Sequence, residues 1–449
     1  MATDMGTQKS ISPDQVKEWH AAFAEEPLHQ VIANAIIKNG VQAVTQKRSR
    51  VTEMPYAFSH EIATGAITHQ RQSGRCWIFA GLNVIRQRMA ETLRVKDFEL
   101  SQAYLMFYDK LEKSHYFLES IIHTLEQPVD GRLVAWLLTA PLQDGGQWDM
   151  FVNLVEKYGV VPKGIMPESF HSSNSRMMNH LMTAKLREDA AVLRDAAQAG
   201  AQLHELESLK EGMMRDIYQM LAHFLGEPPT QFDLEYQDDE NQYHGERALT
   251  PVEFFARYGG IRLEDYVSVI NAPTQDKPFG HTYTVDYLGN VVGGRPVLYL
   301  NLPIEEFKQL AKTQLVAGEP VWFGCDVGKM SDRETGMLDV DQYDYAEALG
   351  VDFHLTKAER LTYGESQMDH AMVLTGVNLV DGSPNRWKVE NSWGPDAGNH
   401  GFFIMSDAWF DEFMYQIVVH KKYLSAEQRA ALDGEPRHLP PWDPMGSLA

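Results

Sequence analysis

Helical periodicity dominates the first half of this chain, whereas short apolar runs dominate the second half. In the first half, apolar residues recur every three or four positions, as they do on the buried face of a helix. From about residue 296 onward, short apolar runs are bounded by Gly, Pro, Asn and Asp, which is typical of buried strands. Because helices come first and strands later, the order favours an α+β fold with two lobes over an alternating βαβ fold.

Local signals divide the helical half further. Ser12 can cap a first helix, Pro13 suits the first helical position, and Gln15 completes a capping box. A second amphipathic stretch ends at Gly40, and a polar, basic passage without periodicity follows up to about residue 60. Residues 180–225 are strongly helical and highly charged, which predicts an inserted helical hairpin. A polar connector is expected after it, before the strands begin.

The charge balance bears on possible partners. With 449 residues, the chain is long enough for a large core or for two to three lobes. It contains 40 Lys and Arg against 62 Asp and Glu, a formal net charge of -22. This field repels phosphate backbones and acidic membrane surfaces, so neither nucleic acid nor a membrane is expected as a partner. A cationic group, such as the α-ammonium of a peptide, is attracted by the same field.

The chain has only two cysteines, Cys76 and Cys325. They are too few for a disulfide framework and lack the clustering of a zinc site, so we expect no metal or cofactor and a reducing compartment. Residues 1–15 lack the basic start and apolar core of a signal peptide. The longest apolar run, residues 133–142, is shorter than the roughly 18 residues that a membrane span needs. A soluble, cytoplasmic protein is therefore expected.

Cys76 stands where a polar turn gives way to an apolar helix. The apolar residues that follow it at helical spacing are Ile78, Leu82, Ile85, Met89 and Leu93. A thiolate is the nucleophilic form of cysteine, and the free N–H groups and dipole of a helix start stabilise that charge. Taken alone, Cys76 is better interpreted as a small buried hydrophobe, and only its context favours a nucleophile. Cys325 lies in an apolar strand pattern without a polar turn before it, so core packing is the better interpretation there.

A histidine and an amide occur where they could assist a thiol. His370 lies at the start of a predicted strand, where its ring can reach the edge of a lobe interface; a hydrogen-bonded histidine at a strand end is the alternative. A period of two places Trp387, Val389 and Asn391 on one apolar face. A buried amide without a partner costs about 1–3 kcal/mol, so a ring nitrogen of His370 is an expected partner. Alternatively, Asn391 caps a turn through its own backbone. Trp393 could shield the histidine–amide bond from water.

An attacked carbonyl also needs donors for its developing negative charge. The backbone N–H of Cys76 is one candidate, and Gln70, on the preceding turn, is the second. Gln72 is a rival that spacing alone does not exclude.

These residues resemble the active-site motifs of papain-like cysteine peptidases. Residues 70–80 resemble the Gln-x5-Cys-Trp signature, and the Gly-Arg pair before the cysteine resembles the bleomycin hydrolase and aminopeptidase C branch. Further matches follow in order at 99–119, 144–163, 287–308, 321–329, 370–377, 387–394 and 440–449. The resemblance implies a papain-like α+β fold with a helical lobe, a β-barrel lobe and a helical insertion. It also implies a homohexamer and peptide substrates with a free N-terminus.

The resemblance assigns roles to individual residues. Cys76 would be the nucleophile, His370 the general acid and base, Asn391 its orienting partner and Gln70 the oxyanion donor. The implied substrate-binding residues are Gly145, Gly146, Trp393 and Ala449. Glycine suits close approach of an extended substrate because a side chain would block it; without the family, an ordinary tight turn is as good an interpretation.

The last residues distinguish this branch from other papain relatives. In the family the C-terminal arm enters its own cleft, which implies that residues 437–449 do so here, with Ala449 as counter-ion and stop for the α-ammonium of the substrate. The expected function is a cysteine aminopeptidase acting through an acyl-thioenzyme. The alternatives are an oligo- or endopeptidase of the same family, and a catalytically silent assembly protein. His69 and Asp369 depart from the family pattern, and a carboxylate at 369 could raise the pKa of the neighbouring imidazolium.

The expected division of the chain has five parts. They are an N-terminal helical segment packing on the lobes (1–60), a helical lobe with the nucleophile (61–179), a hook-like helical insertion (180–250), a β-rich lobe with the histidine and asparagine (251–436) and the C-terminal arm (437–449).

Overall fold

The computed structural model describes residues 10–449, and these divide into two compact units. The smaller unit contains residues up to 53 together with 341–354, and the larger contains 54–340 and 355–449. Residues 1–9, the first part of the segment in which no signal peptide is expected, lie outside the described residues. Within residues 10–449, no helix is both long enough and apolar enough to cross a membrane.

Helices account for most of the regular structure before residue 230. In chain order they are α1 (Pro13–Glu25), α2 (Pro27–Asn39), α3 (Val41–Thr45), α4 (Arg48–Glu53), α5 (Cys76–Leu93), α6 (Gln102–His123), α7 (Arg132–Thr139), α8 (Trp148–Tyr158), α9 (Phe170–Ser173), α10 (Arg176–Gln198) and α11 (Leu203–Leu225). Later helices are α12 (Pro251–Tyr258), α13 (Ile304–Val316), α14 (Tyr345–Leu349), α15 (Lys357–Thr362), α16 (Asp407–Phe413) and α17 (Ala426–Leu432).

The predicted start of α1 is confirmed. Ser12 Oγ accepts a hydrogen bond from the Gln15 N–H at 3.2 Å, and Gln15 Oε1 accepts one from the Ser12 N–H at 2.9 Å. This reciprocal pair satisfies two of the N–H groups that a helix start leaves open. The second amphipathic stretch forms α2, and its cap, Gly40, has a φ of 83°. The passage after Gly40 contains α3 and α4, which are too short to show a periodic pattern.

Strands occupy mainly the second half, as predicted. They are β1 (His60–Glu61), β2 (Phe232–Gln237), β3 (Tyr243–Leu249), β4 (Tyr266–Ile270), β5 (His281–Val285), β6 (Tyr299–Asn301), β7 (Val321–Cys325), β8 (Ser331–Asp332), β9 (Met337–Leu338), β10 (His370–Val380), β11 (Ser383–Glu390), β12 (Phe402–Ser406), β13 (Met414–His420) and β14 (Arg437–Leu439). The main sheet runs β14-β5-β6-β4-β13-β7-β10-β11-β12-β9-β8, and β1 pairs with β10.

The polar connector expected after α11 is wrong in part. It contains the antiparallel hairpin of β2 and β3. Along β2, Phe232 and Leu234 are buried while Asp233 and Glu235 are exposed. This is the period of two of a half-buried strand, but its two apolar positions are lost among the acidic residues around them. The predicted helical hairpin is present as α10 and α11, and both helices pack on α6.

Two hydrophobic clusters position the functional residues. One is built around α5, α6 and α8, and the other around β7, β10, β11, β12 and β13. Cys76 at the start of α5 belongs to the first cluster, and β10 and β11 contribute to the second. The predicted α+β class is confirmed, while the four boundaries between the five predicted parts stay predictions.

Candidate active site

Cys76 is the first residue of α5 and is only 2% exposed. The apolar stripe predicted behind it is buried throughout: Ile78, Leu82, Ile85, Met89 and Leu93 are each no more than 2% exposed. The Arg75 carbonyl accepts hydrogen bonds from the N–H groups of Ile78 and Phe79, both at 3.0 Å. The helix therefore starts directly at the cysteine, which places the sulfur beside its first open N–H groups.

Charged side chains fix the turn before the cysteine. Arg75 is 1% exposed and donates two hydrogen bonds to Glu168, at 3.1 and 2.9 Å, in the paired geometry that arginine and carboxylates favour. Asp144 accepts a hydrogen bond from the Gly74 N–H at 3.0 Å and one from Lys110 at 2.6 Å. These partners hold the pKa of Asp144 well below its usual range, although burial opposes the shift. Sequence reasoning missed both acidic residues, because each lies more than 60 positions from the turn.

The Gln70 side chain bridges Ser73, on the turn before Cys76, and Ser392, directly after Asn391. Its Oε1 accepts a hydrogen bond from Ser392 Oγ at 2.7 Å, and its Nε2 donates one to the Ser73 carbonyl at 2.8 Å. Its backbone N–H donates to the Ser392 carbonyl at 2.8 Å. Its rival, Gln72, is exposed. Of the two glutamines, Gln70 is therefore the one built into the site.

His370 and Asn391 are brought together, and both are buried. His370 Nε2 lies 2.9 Å from Asn391 Oδ1, which also accepts a hydrogen bond from the Ser392 N–H at 2.8 Å. The sequence left two partners open for Asn391, the His370 ring and its own backbone turn. Both contacts occur, and they share the same oxygen. Because that oxygen can only accept, Nε2 carries the ring hydrogen and Nδ1 keeps a free lone pair. The Trp393 ring packs beside the His370 ring, at 4.9 Å from centroid to centroid.

The cysteine sulfur meets the start of β10. The backbone N–H of Ala371, directly after His370, is close enough to the Cys76 sulfur to lower its pKa. Cys325 pairs with His370 across β7 and β10 and is fully buried. Its Sγ contacts the His370 carbonyl at 3.7 Å. Cys325 belongs to the core of the β-rich lobe, as the sequence predicted, while the catalytic role of Cys76 stays a prediction.

Burial dominates the pKa shifts of Cys76 and His370. It raises the pKa of Cys76 to about 12, although backbone N–H groups of Ala371 and Trp77 lower it. Burial lowers the pKa of His370 to about 4, although the hydrogen bond to Asn391 raises it. The stabilisation of a thiolate by backbone N–H groups is therefore present, but burial outweighs it. Burial thus favours the neutral thiol and the neutral imidazole over their charged forms.

The two departures from the family pattern have structural explanations. Burial raises the pKa of Asp369 to about 6, and its Oδ1 accepts a hydrogen bond from the Val327 N–H at 2.9 Å. The expectation that Asp369 raises the pKa of His370 is wrong: burial lowers that pKa, and the Asp369 charge contributes instead to the raised pKa of Cys76. The His69 ring accepts a hydrogen bond from the Arg71 N–H at 3.0 Å, and burial lowers its pKa.

The Gly145–Gly146 segment contacts the end of the chain. The Gly146 N–H donates a hydrogen bond to the Ala449 backbone oxygen at 3.1 Å, and Gln147 Nε2 donates one to the Ser447 carbonyl at 2.7 Å. A Cβ on Gly145 would lie 2.7 Å from that Ala449 oxygen, and one on Gly146 would lie 2.5 Å from the Trp77 ring. Neither position has room for a side chain. Ala449 itself is 3% exposed.

Side chains from distant parts of the chain anchor the last residues. Lys277 Nζ lies 2.8 Å from Asp443, and Tyr299 Oη donates a hydrogen bond to the Met445 carbonyl at 3.2 Å. The Arg132 guanidinium lies 3.8 Å from the centre of the Trp442 ring, and β14 pairs in parallel with β5. Sequence reasoning identified none of these anchors, since only the tertiary fold brings them to residues 437–449.

Comparison with known proteins decides the family. The sequence model of the Peptidase C1-like family matches residues 10–446. The chain belongs to this family. Aminopeptidase C of Listeria monocytogenes is 50% identical over 442 residues, which covers 98% of this chain and 100% of that protein. Aminopeptidase C of Streptococcus thermophilus is 49% identical over 441 residues, covering 98% and 99% respectively.

A solved structure agrees with this placement in the Peptidase C1-like family. The crystal structure of PepW from Lactobacillus rhamnosis HN001 matches with a TM-score of 0.97 and 51% identity, and the match covers 99% of this chain and 100% of that one. The family resemblance predicted from the sequence and the papain-like, two-lobed α+β fold are thereby confirmed.

Proposed function

We propose that this protein releases N-terminal residues from peptides by attack of Cys76, and that residues 437–449 limit how a substrate can enter. The class of enzyme, a cysteine-type aminopeptidase, is confirmed by family membership and by about 50% identity to aminopeptidase C. The proposal adds the residue roles and the role of the arm. The observation that carries it is the contact between the Gly146 N–H and Ala449, beside the helix that begins with Cys76.

The reaction begins with proton transfer inside the catalytic pair. His370 Nδ1 takes the proton of the Cys76 thiol as the substrate carbonyl approaches, and the sulfur forms a bond to the carbonyl carbon. Because burial disfavours either charge alone, a single transfer that creates thiolate and imidazolium together is favoured by their mutual attraction at low dielectric. Asn391 Oδ1 stays bonded to Nε2–H and keeps the ring in plane.

Two donors stabilise the tetrahedral oxyanion. The Cys76 N–H lies at the helix start, and Gln70 Nε2 has a second hydrogen beyond the one bonded to Ser73. His370 then gives its proton to the leaving amine as the C–N bond breaks, which leaves an acyl-thioenzyme. Water, deprotonated by His370, attacks this thioester and restores the thiol, releasing the N-terminal residue as an amino acid.

The arm explains why only the first residue is removed. An extended peptide lying along Gly145–Gly146 needs the N–H that Ala449 already uses. A substrate can then extend past Cys76 in one direction only, and its own N-terminus must lie near the end of the arm. A carboxylate at Ala449 would face the substrate α-ammonium and favour a charged N-terminus over a blocked one.

Deleting residues 447–449 tests this proposal. We expect the deletion to free the Gly146 N–H and to raise hydrolysis of an N-acetylated peptide relative to the same peptide with a free N-terminus. An unchanged ratio rejects the arm as the source of the preference. If the protein is an endopeptidase, the full-length chain already cleaves the N-acetylated peptide efficiently. If it is a silent assembly protein, it cleaves neither peptide.

The remaining expectations join the proposal. A homohexamer is proposed, and sedimentation velocity measures the assembly directly. A cytoplasmic location and the lack of nucleic-acid binding also stay predictions. A salt-dependent mobility shift on single-stranded DNA would contradict the second.

A further inference from the structure

A buried ion pair joins the helix of the cysteine to the strand of the asparagine. Arg86 on α5 lies 2.7 Å from Glu390, the last residue of β11, and their side chains are 5% and 3% exposed. A second donor of the guanidinium bonds to the Ala66 carbonyl at 2.9 Å. The pair is not used by the proposed chemistry, because neither residue contacts the reacting groups.

The position of the pair in the fold is informative. Arg86 lies ten residues after Cys76 on the same helix, which is about 15 Å along the axis. Glu390 directly precedes Asn391, and it pairs in the sheet with Val373, three residues after His370. One charged contact therefore links the helix of Cys76 to the end of β11, which leads directly into Asn391 and pairs with the strand of His370.

The asparagine depends strongly on its backbone for orientation. Within residues 10–449 its Nδ2 group has no hydrogen-bond partner, so only Oδ1 is held, by His370 and by the neighbouring Ser392 N–H. A shift of Glu390 moves the next residue in the chain directly. A displacement of about 1 Å in a catalytic group can lower the rate about 100-fold.

We propose that Arg86 and Glu390 are positioning residues that hold Asn391, and through it His370, in register with Cys76. The proposal rests on the proposed function, since it concerns the same site. The guanidinium matters for its shape as well as its charge: it bonds Glu390 and the Ala66 carbonyl at once, which a lysine ammonium on a flexible stem does less well.

A cavity beside the pair makes the proposal testable. Arg86 and Glu390 line a cavity of about 780 Å³ together with Asn83 and Thr375, which are 6% and 1% exposed. Each of these two has a side-chain oxygen without a hydrogen-bond partner in the described chain. The cavity therefore has room and acceptors for a small guanidinium compound in place of a missing arginine side chain.

The experiment is chemical rescue of Arg86→Ala. The concentration of reactive thiols is first titrated with iodoacetamide, so that kcat refers to competent sites. We expect kcat on an aminoacyl amide to fall roughly 10- to 100-fold with KM little changed, because the pair does not touch substrate. Millimolar ethylguanidinium restores most of the loss, whereas tetramethylammonium at equal concentration does not. In Arg86→Ala/Glu390→Gln, ethylguanidinium restores nothing.

A matched control separates positioning from stability. Lys308 on α13 is another largely buried cation, lying 2.6 Å from Asp407 and 2.8 Å from Asp411. Lys308→Met is expected to lower Tm but to keep the wild-type kcat. If Arg86→Ala does not fold, Arg86→Lys decides: a severalfold lower kcat at wild-type Tm supports the proposal.

Wild-type kcat in either Arg86 variant overturns the proposal, as does a loss in folded Arg86→Ala that ethylguanidinium leaves unchanged. These outcomes differ from failure of the proposed function. If the wild-type protein does not turn over the amide, the function is wrong, whereas an active wild type with an equally active Arg86→Ala refutes positioning alone.

Discussion

Lys277→Met should release the C-terminal arm. Lys277 Nζ lies 2.8 Å from Asp443 on the arm and 2.7 Å from Asp276. The side chains of Lys277 and Asp443 are 3% and 6% exposed, whereas Asp276 is 62% exposed. The contact that crosses to the arm is thus buried, and the contact within the loop is at the surface.

The expected magnitude follows from this difference in burial. Removing one partner of a buried ion pair costs about 3–5 kcal/mol, because the other charge is left without compensation. Asp443 regains water when the arm leaves, so the cost acts on the docking equilibrium. At about 1.4 kcal/mol per factor of ten, docking weakens by a factor between about 10² and about 4 × 10³. The control, Asp276→Asn, removes an exposed partner and should cost no more than about 1 kcal/mol.

Two assays report the position of the arm. The first is the ratio of kcat/KM for an N-acetylated peptide to that for the free peptide, which should rise in Lys277→Met. The second is alkylation of Cys76, which should become faster because an open site lowers the burial that raises its pKa. Asp276→Asn should match the wild type in both. If folded Lys277→Met also matches the wild type, the arm is not held by this pair and the reasoning fails.

Three further predictions concern the proposed catalytic residues. Cys76→Ala should lower turnover of an aminoacyl amide by more than about 10³-fold, whereas Cys325→Ala should stay near wild type; steady-state kinetics would show equal losses if the assignment is wrong. Asn391→Ala should lower kcat roughly 10- to 100-fold while KM changes little, and an unchanged kcat would mean that the His370 ring needs no partner. Protonation of His370 should lower the free energy of unfolding as the pH is lowered from about 6.5 to 4. The reason is that folding lowers the pKa of the His370 ring from 6.5 to about 4. The unfolded chain then binds more protons below pH 6.5, and the loss reaches about 3 kcal/mol at pH 4. Urea unfolding of the wild type and of His370→Gln at pH 7.5 and 4.5 measures this loss of stability. An equal pH dependence in the two proteins would contradict the prediction.

The sequence predicted best those elements whose signals are local. The capping box at Ser12 and the buried stripe behind Cys76 lie within single helices, so residue type and spacing determine them. The hairpin of β2 and β3 was missed because its buried positions, such as Phe232 and Leu234, lie among acidic residues. The smaller unit unites residues up to 53 with 341–354, and such a pairing depends on contacts that no local pattern records.

The candidate active site shows the same contrast between features with a local sequence signal and features that depend on distant contacts. Joint action of a thiol, an imidazole and an amide could be predicted, because Cys76 begins an apolar helix, His370 begins an apolar strand and Asn391 interrupts an apolar strand face. Their protonation could not: the sequence suggested a thiolate, yet burial by the assembled lobes favours the neutral thiol. Lys277 and Arg86 carry no local signal at all, since their partners lie far away in the chain.

The identity of the acylated residue tests the central claim most directly. Rapid acid quenching during turnover of an aminoacyl ester, followed by peptide mapping in a mass spectrometer, locates the acyl group. We predict the added mass on the peptide containing Cys76 and none on the peptide containing Cys325. An adduct on Cys325, or turnover with no adduct on Cys76 under conditions where deacylation is slow, would contradict the mechanism.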